Sequence, residues 1–205
     1  EYIASKGKPI VISTGLSDLD EIDRAIRTIE GAGNNQIVIL HCVSIYPPDD
    51  EQVNLRNILT LQKLYPYPIG FSDHTLGTAI PLASIAYGAV IIEKHFTLDK
   101  TMEGWDHQIS ADSSELKEIC ESSKRIHEAL GSFRVTSNES QERKNAFRRS
   151  IVTTRKISKG EVISREDLDF KRPGEGLPPG DLDLVVGRSA KRDIEQDAII
   201  HLEDI

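Results

Sequence analysis

The chain has 205 residues, 38% of them apolar, 28% charged and 5% aromatic, enough for one large or two modest globular domains. A formal net charge of −8 excludes a general nucleic-acid binder, which needs a strongly basic face to neutralise phosphates, and no run approaches the roughly 18 apolar residues of a membrane span. The start, Glu1-Tyr2-Ile3, has neither an initiating methionine nor a basic n-region, so the chain reads as a fragment. Cys42 ends an apolar run and Cys120 sits on the apolar stripe of a helical pattern. Both read as packed thiols of a reducing, cytoplasmic compartment.

The first apolar run, KPIVIST, breaks at Gly15. Ser17 with Asp20 then reads as a capping box, and Ile22, Ala25, Ile26 and Ile29 follow at helical spacing until Gly31. QIVILHC opens a second cycle, followed by a loop with Pro47 and Pro48 and a helical stretch around Ile58, Leu59 and Leu64. PIGFSD opens a third, with a helix over residues 78–87 closed by Gly88, and AVIIEKHF opens a fourth, whose helix starts at Ser113 or Ser114 and ends before Gly131. Strand alternating with helix four times predicts a parallel sheet.

Such a sheet belongs to an open doubly wound fold or to part of a (β/α)8 TIM barrel. The barrel is favoured because polar residues end all four strands: Ser13, Ser44 with Tyr46, Ser72 to His74, and His95. Barrel active sites are built at that end. A whole barrel needs eight such units, so residues 1–131 are expected to be its second half. Residues 132–149 read as a polar linker, and residues 150–205, with short runs split by turns, as a small strand-rich module that must dock on something for stability.

His74 and His95 lie 21 residues apart at the ends of neighbouring strands, where two imidazoles can converge on one cation. Two histidines leave coordination positions for water, substrate or a ligand from elsewhere, as in an open catalytic site. His107 is not expected to act as a third ligand beside Asp106, because sequence neighbours in an extended chain point to opposite sides. His41 reads as an internal strand residue.

KPIVISTG, LHCVSIYP, GFSDHT, EKHFTLDK, GWDHQIS and, after the linker, KRPGEG resemble the ordered signature of the sialic acid synthase family, the N-acetylneuraminate synthases with relatives making legionaminic and pseudaminic acids. The resemblance covers essentially the whole chain and implies a TIM barrel closed by an antifreeze-like (SAF) domain at residues 150–205. It implies a transferase that condenses phosphoenolpyruvate with an N-acetylated hexosamine, typically N-acetylmannosamine, to give phosphate and a nine-carbon 2-keto sugar acid. A divalent ion, Mn2+ or else Mg2+ or Co2+, would polarise the sugar's aldehyde.

By the same resemblance His74 and His95 are metal ligands, and Ser13 and Ser72 bind phosphoenolpyruvate. Ser44 stands where the family pattern has asparagine, a departure that shortens the side chain and removes one of its two hydrogen-bonding groups. Tyr46, Asp106, Phe147 and Arg172 contact the sugar, Trp105 lies against its pocket, and Arg172 arrives from the partner subunit of a domain-exchanged homodimer. Two other classes stay open: a different metal-dependent aldol enzyme on a barrel, which would not require Arg172, and a non-catalytic binding protein carrying an SAF domain.

Overall fold

In the computed structural model, which describes residues 1–104 and 106–205, the chain divides into two units, Glu1–Phe133 and Arg134–Ile205. The first contains a four-stranded parallel sheet whose spatial order is its sequence order: β1 (Ile10–Ser13), β2 (Ile37–Cys42), β3 (Ile69–Asp73) and β4 (Ile92–Lys94). Helices follow each strand: α1 (Leu19–Gly31), the short α2 (Asp50–Val53) with α3 (Asn57–Leu64), α4 (Ala79–Ala86), and α5 (Ser113–Leu130). The curled parallel sheet is a half-barrel.

Strand alternation sorts its two faces. Ile37 and Ile39 of β2 and Ile69 and Phe71 of β3 face the helices and join Ile22, Ile26 and Ile29 of α1 and Ile58 and Leu61 of α3 in one dry core. Ile10 and Ile12 of β1 pack against that core, whereas Val11 and Ser13 on the opposite face are exposed. The central strands β2 and β3 are the most buried and the flanking strands β1 and β4 the least.

One helix cap differs from the sequence reading, while α5 starts at Ser113 as expected. Asp18, not Ser17, caps α1, with the Glu21 carboxylate accepting from the Asp18 N–H at 3.0 Å. Asp112 caps α5, accepting from the N–H groups of Ser114 and Glu115 at 2.8 and 2.9 Å. In both helices a carboxylate stands at the positive end of the helix dipole, and at α1 it takes the place expected for Ser17. Cys120, expected to be packed, is exposed, because only Ile119 of the α5 stripe is buried; Cys42 is half-buried.

The second unit holds α6 (Gln141–Phe147), an antiparallel pair β5 (Ser150–Thr153) and β6 (Leu168–Lys171), and α7 (Leu182–Val185). Helix α6 stands within the stretch whose composition suggests a linker; Ser140 caps it by accepting from Arg143 N–H at 3.2 Å. Ile151, Ile157, Ile163, Ile194 and Ile200 form the core of this unit. Its longer-range order comes from isolated bridges, Val152 with Ile199, Ile157 with Ile194 and Val162 with Ser189.

Candidate active site

The site grows from the register of β3 and β4. Phe71 pairs with Ile92, Ser72 with Glu93 and Asp73 with Lys94, so the following residues, His74 and His95, are the next opposed pair. Their ring centroids stand 5.2 Å apart. The Tyr46 ring, carried in by the loop after β2, lies 4.1 Å from His74 and 6.0 Å from His95. Thus one aromatic and two imidazoles expected from three separate motifs form one cluster.

His74 is buried, and its Nδ1 lies 3.0 Å from the carbonyl oxygen of Val43. A carbonyl only accepts, so Nδ1 carries a proton, and in the neutral ring Nε2 is the nitrogen with a lone pair for a ligand. That tautomer suits metal binding, and a backbone carbonyl behind a ligating imidazole is the usual way of fixing it. Among the described residues no third His, Cys, Asp or Glu completes a cluster able to hold a metal ion. The donor set fits a cation held by two imidazoles, with its other positions left to water, substrate or groups outside this chain.

Ser72, also buried, donates its hydroxyl to Glu93 Oε1 at 2.7 Å. Together with both histidines, Asp73 and Lys94 they line a cavity of about 210 Å³. Lys94 Nζ meets Asp73 Oδ2 at 2.6 Å, the two side chains being 3% and 0% exposed. Glu93 and Lys94 were not singled out from sequence, and Asp73 entered only within the polar run from Ser72 to His74. A signal was available: each precedes or follows its strand neighbour at the same 21-residue offset as the histidines.

Ser13 ends β1 and is exposed, and Ser44 is half-buried beside the turn that follows it. A Cβ on Gly15 would lie 2.1 Å from Ser44 Oγ, so the STG turn approaches Ser44 as closely as a glycine permits. Asp106 is half-buried in a loop closed by Ser110, whose hydroxyl donates to the Asp106 carbonyl at 2.6 Å. His107 instead faces Thr97, with Nδ1 2.8 Å from Thr97 Oγ1. Trp105 lies outside the described residues.

In the second unit the Arg172 Nε donates to the Phe147 carbonyl at 3.1 Å, and its guanidinium stands 5.4 Å from the Phe147 ring. Arg143 lies over the same ring at 5.2 Å. The two sugar-contacting candidates of this unit are therefore neighbours, one stacking cation on one exposed aromatic. His41, by contrast, is a core residue: Nε2 lies 2.6 Å from the Val53 carbonyl and its ring stacks on Phe71 at 5.8 Å. Burial pushes its pKa below the usual histidine value, against the raising effect of the Val53 carbonyl.

Comparison with known proteins gives a match to the NeuB family over residues 1–135 and to the SAF domain over residues 148–205. An uncharacterized protein of Methanocaldococcus jannaschii is 44% identical over 206 residues, covering 100% of this chain and 61% of that protein. The N,N'-diacetyllegionaminic acid synthase of Campylobacter jejuni is 38% identical over 201 residues, covering 97% of this chain and 60% of the relative. Among solved structures, the spore coat polysaccharide biosynthesis protein SpsE of Bacillus subtilis superposes with a TM-score of 0.61 at 37% identity, covering 100% of this chain and 63% of that one. The chain thus spans about three fifths of the length of the relatives it matches.

Proposed function

The chain belongs to the NeuB family, and from that premise we propose that the protein containing it is a sialic acid synthase in the broad sense. It condenses phosphoenolpyruvate with an N-acetylated hexosamine, N-acetylmannosamine or a relative, releasing phosphate and giving a nine-carbon 2-keto sugar acid. The enol carbon joins the aldehyde carbon of the open-chain sugar, water adds at the carbon bearing phosphate, and phosphate leaves. The observation that carries this reading is the convergence of Tyr46, His74 and His95 at the ends of neighbouring strands.

His74 and His95 would hold a divalent ion, Mn2+ in the first instance, which when bound supplies a Lewis acid for the negative charge developing on the aldehyde oxygen. His74 is ready for this because Val43 holds its Nδ1 proton. Ser72 is aimed into the same cavity. To donate to an oxygen of phosphoenolpyruvate its hydroxyl must turn from Glu93, which leaves that carboxylate able to accept a proton in the pocket. Ser13 and Ser44 extend the hydroxyl lining toward β1. Tyr46 and Asp106 bind the sugar's hydroxyls, and the Arg172–Phe147 pair holds its acetamido end, supplied in trans within a cytoplasmic homodimer.

The test is phosphate release by the full protein with Mn2+, phosphoenolpyruvate and either N-acetylmannosamine or its diacetamido analogue. Release that needs both substrates, with a product whose mass is that of the sugar plus pyruvate, supports the reading. Absence of release with every N-acetylated sugar, or equal release without sugar, overturns it.

A further inference from the structure

We propose that Asp73 and Lys94 are positioning residues that fix the spacing and orientation of His74 and His95 through their ion pair. The proposal rests on the metal reading above. Each residue immediately precedes one histidine, the two are opposed in the β3–β4 register, and their side chains meet as an ion pair beside the cavity that the histidines also line. The histidines are thus attached to the two halves of one ion pair.

The pair does more than join two strands. Asp73 Oδ1 accepts from Thr75 N–H at 2.9 Å and from Thr75 Oγ1 at 2.8 Å, while Asp73 Oδ2 takes Lys94 Nζ at 2.6 Å. The same ammonium donates to the Thr75 carbonyl at 2.6 Å. Thr75 is therefore clamped at its N–H, its hydroxyl and its carbonyl by the pair, and Asp73 is held by the pair itself. His74 sits between these two anchored residues. On β4, the anchored residue is Lys94, one step before His95. Among the described residues no buried side-chain polar atom is without a hydrogen bond.

Stability alone gives weak grounds for so dry an ion pair. Removing two charges from water costs about as much as their attraction returns, and hydrophobic replacements of similar volume are often neutral or better. What a hydrophobic pair could not supply is direction: three charge-assisted bonds of fixed geometry set the backbone on both sides of His74. Groups behind metal ligands typically change metal affinity by about 10–100-fold when removed, and that is the magnitude expected here.

The test measures Mn2+ binding to the full protein by electron paramagnetic resonance, well below its melting temperature, with circular dichroism as the check of folding. Lys94→Met keeps the aliphatic stem and removes the ammonium, and should raise the Mn2+ dissociation constant about tenfold or more. Thr75→Val removes one link while leaving the ion pair, and should raise it about threefold, with Thr75→Ser restoring the wild-type value. Should Lys94→Met fail to fold, the Thr75 series decides. A folded Lys94→Met protein within about twofold of wild type, or a Thr75→Val protein indistinguishable from Thr75→Ser, overturns the proposal. His74→Ala separates the two layers: if it binds Mn2+ as wild type does, the metal reading itself is wrong, whereas loss in His74→Ala with none in Lys94→Met refutes positioning alone.

Discussion

Replacing Gly70 with alanine tests how tightly the central strands are packed beneath the site. Gly70 opposes Leu40 in the β2–β3 register, and an added Cβ would lie 2.5 Å from Leu40 Cδ2 and 2.7 Å from the Ile91 carbonyl oxygen. Carbon atoms in contact sit about 3.5–4.0 Å apart, so the neighbours must move by about an ångström. Leu40 is fully buried, and the Ile91 carbonyl is tied to Phe71 N–H at 2.8 Å in the β3–β4 ladder. Overpacking of this kind costs about 1–3 kcal/mol, and weakening the ladder bond adds about 1 kcal/mol. The reduced entropy of the unfolded chain offsets about 0.5 kcal/mol, leaving a net loss of about 1.5–3.5 kcal/mol. The assay is urea denaturation of the full protein followed by circular dichroism. Gly31→Ala is the control: it ends α1 with nothing within 4 Å of the added carbon, and should be neutral or stabilise by about 0.5 kcal/mol through helix propensity. If Gly70→Ala is as stable as wild type, the steric reasoning fails.

Because the folded pKa of His41 lies below its unfolded value of about 6.5, its contribution is complete above pH 6.5 and declines as pH falls toward the folded value, while the unfolded chain alone takes up the proton. Stability should therefore fall below pH 6.5 with a slope of up to about 1.4 kcal/mol per pH unit from this group, and His41→Gln should flatten the profile there; an unchanged slope would refute the assignment. Arg172→Ala should lower sugar kcat/KM by about tenfold or more, the loss of a charge-assisted bond, with the KM for phosphoenolpyruvate nearly unchanged. Subunit exchange between inactive His74→Ala and Arg172→Ala proteins should restore activity toward half of wild type per hybrid dimer, and no recovery after demonstrated exchange rules out contact in trans.

The strand-helix cycles and the two histidine-terminated strands were legible because near-continuous isoleucine and valine runs are what a parallel sheet buried on both faces requires. Helix starts were legible only to within a residue. SDLDE satisfies the capping pattern both from Ser17 and from Asp18, and the choice falls to the stronger acceptor in place. The Cys120 stripe misled because helical periodicity reports which residues share a face and not whether anything covers it. The charged pair beside the histidines stayed hidden because Asp73 and Lys94 read one at a time as ordinary polar strand ends. Only the parallel register, which sets equal sequence offsets opposite one another, shows that they meet.

That register has a further consequence. Ser72–Glu93, Asp73–Lys94 and His74–His95 are three rungs in succession, alternating between the two faces of the sheet. A slip of β4 by a single residue would exchange its faces, turning His95 away from His74 and separating Lys94 from Asp73. No intermediate arrangement exists, since strand pairing moves in whole residues. The chemistry of this pocket is therefore set as a digital quantity by which backbone groups pair, and Asp73 with Lys94, which can meet only in the correct frame, act as its parity check.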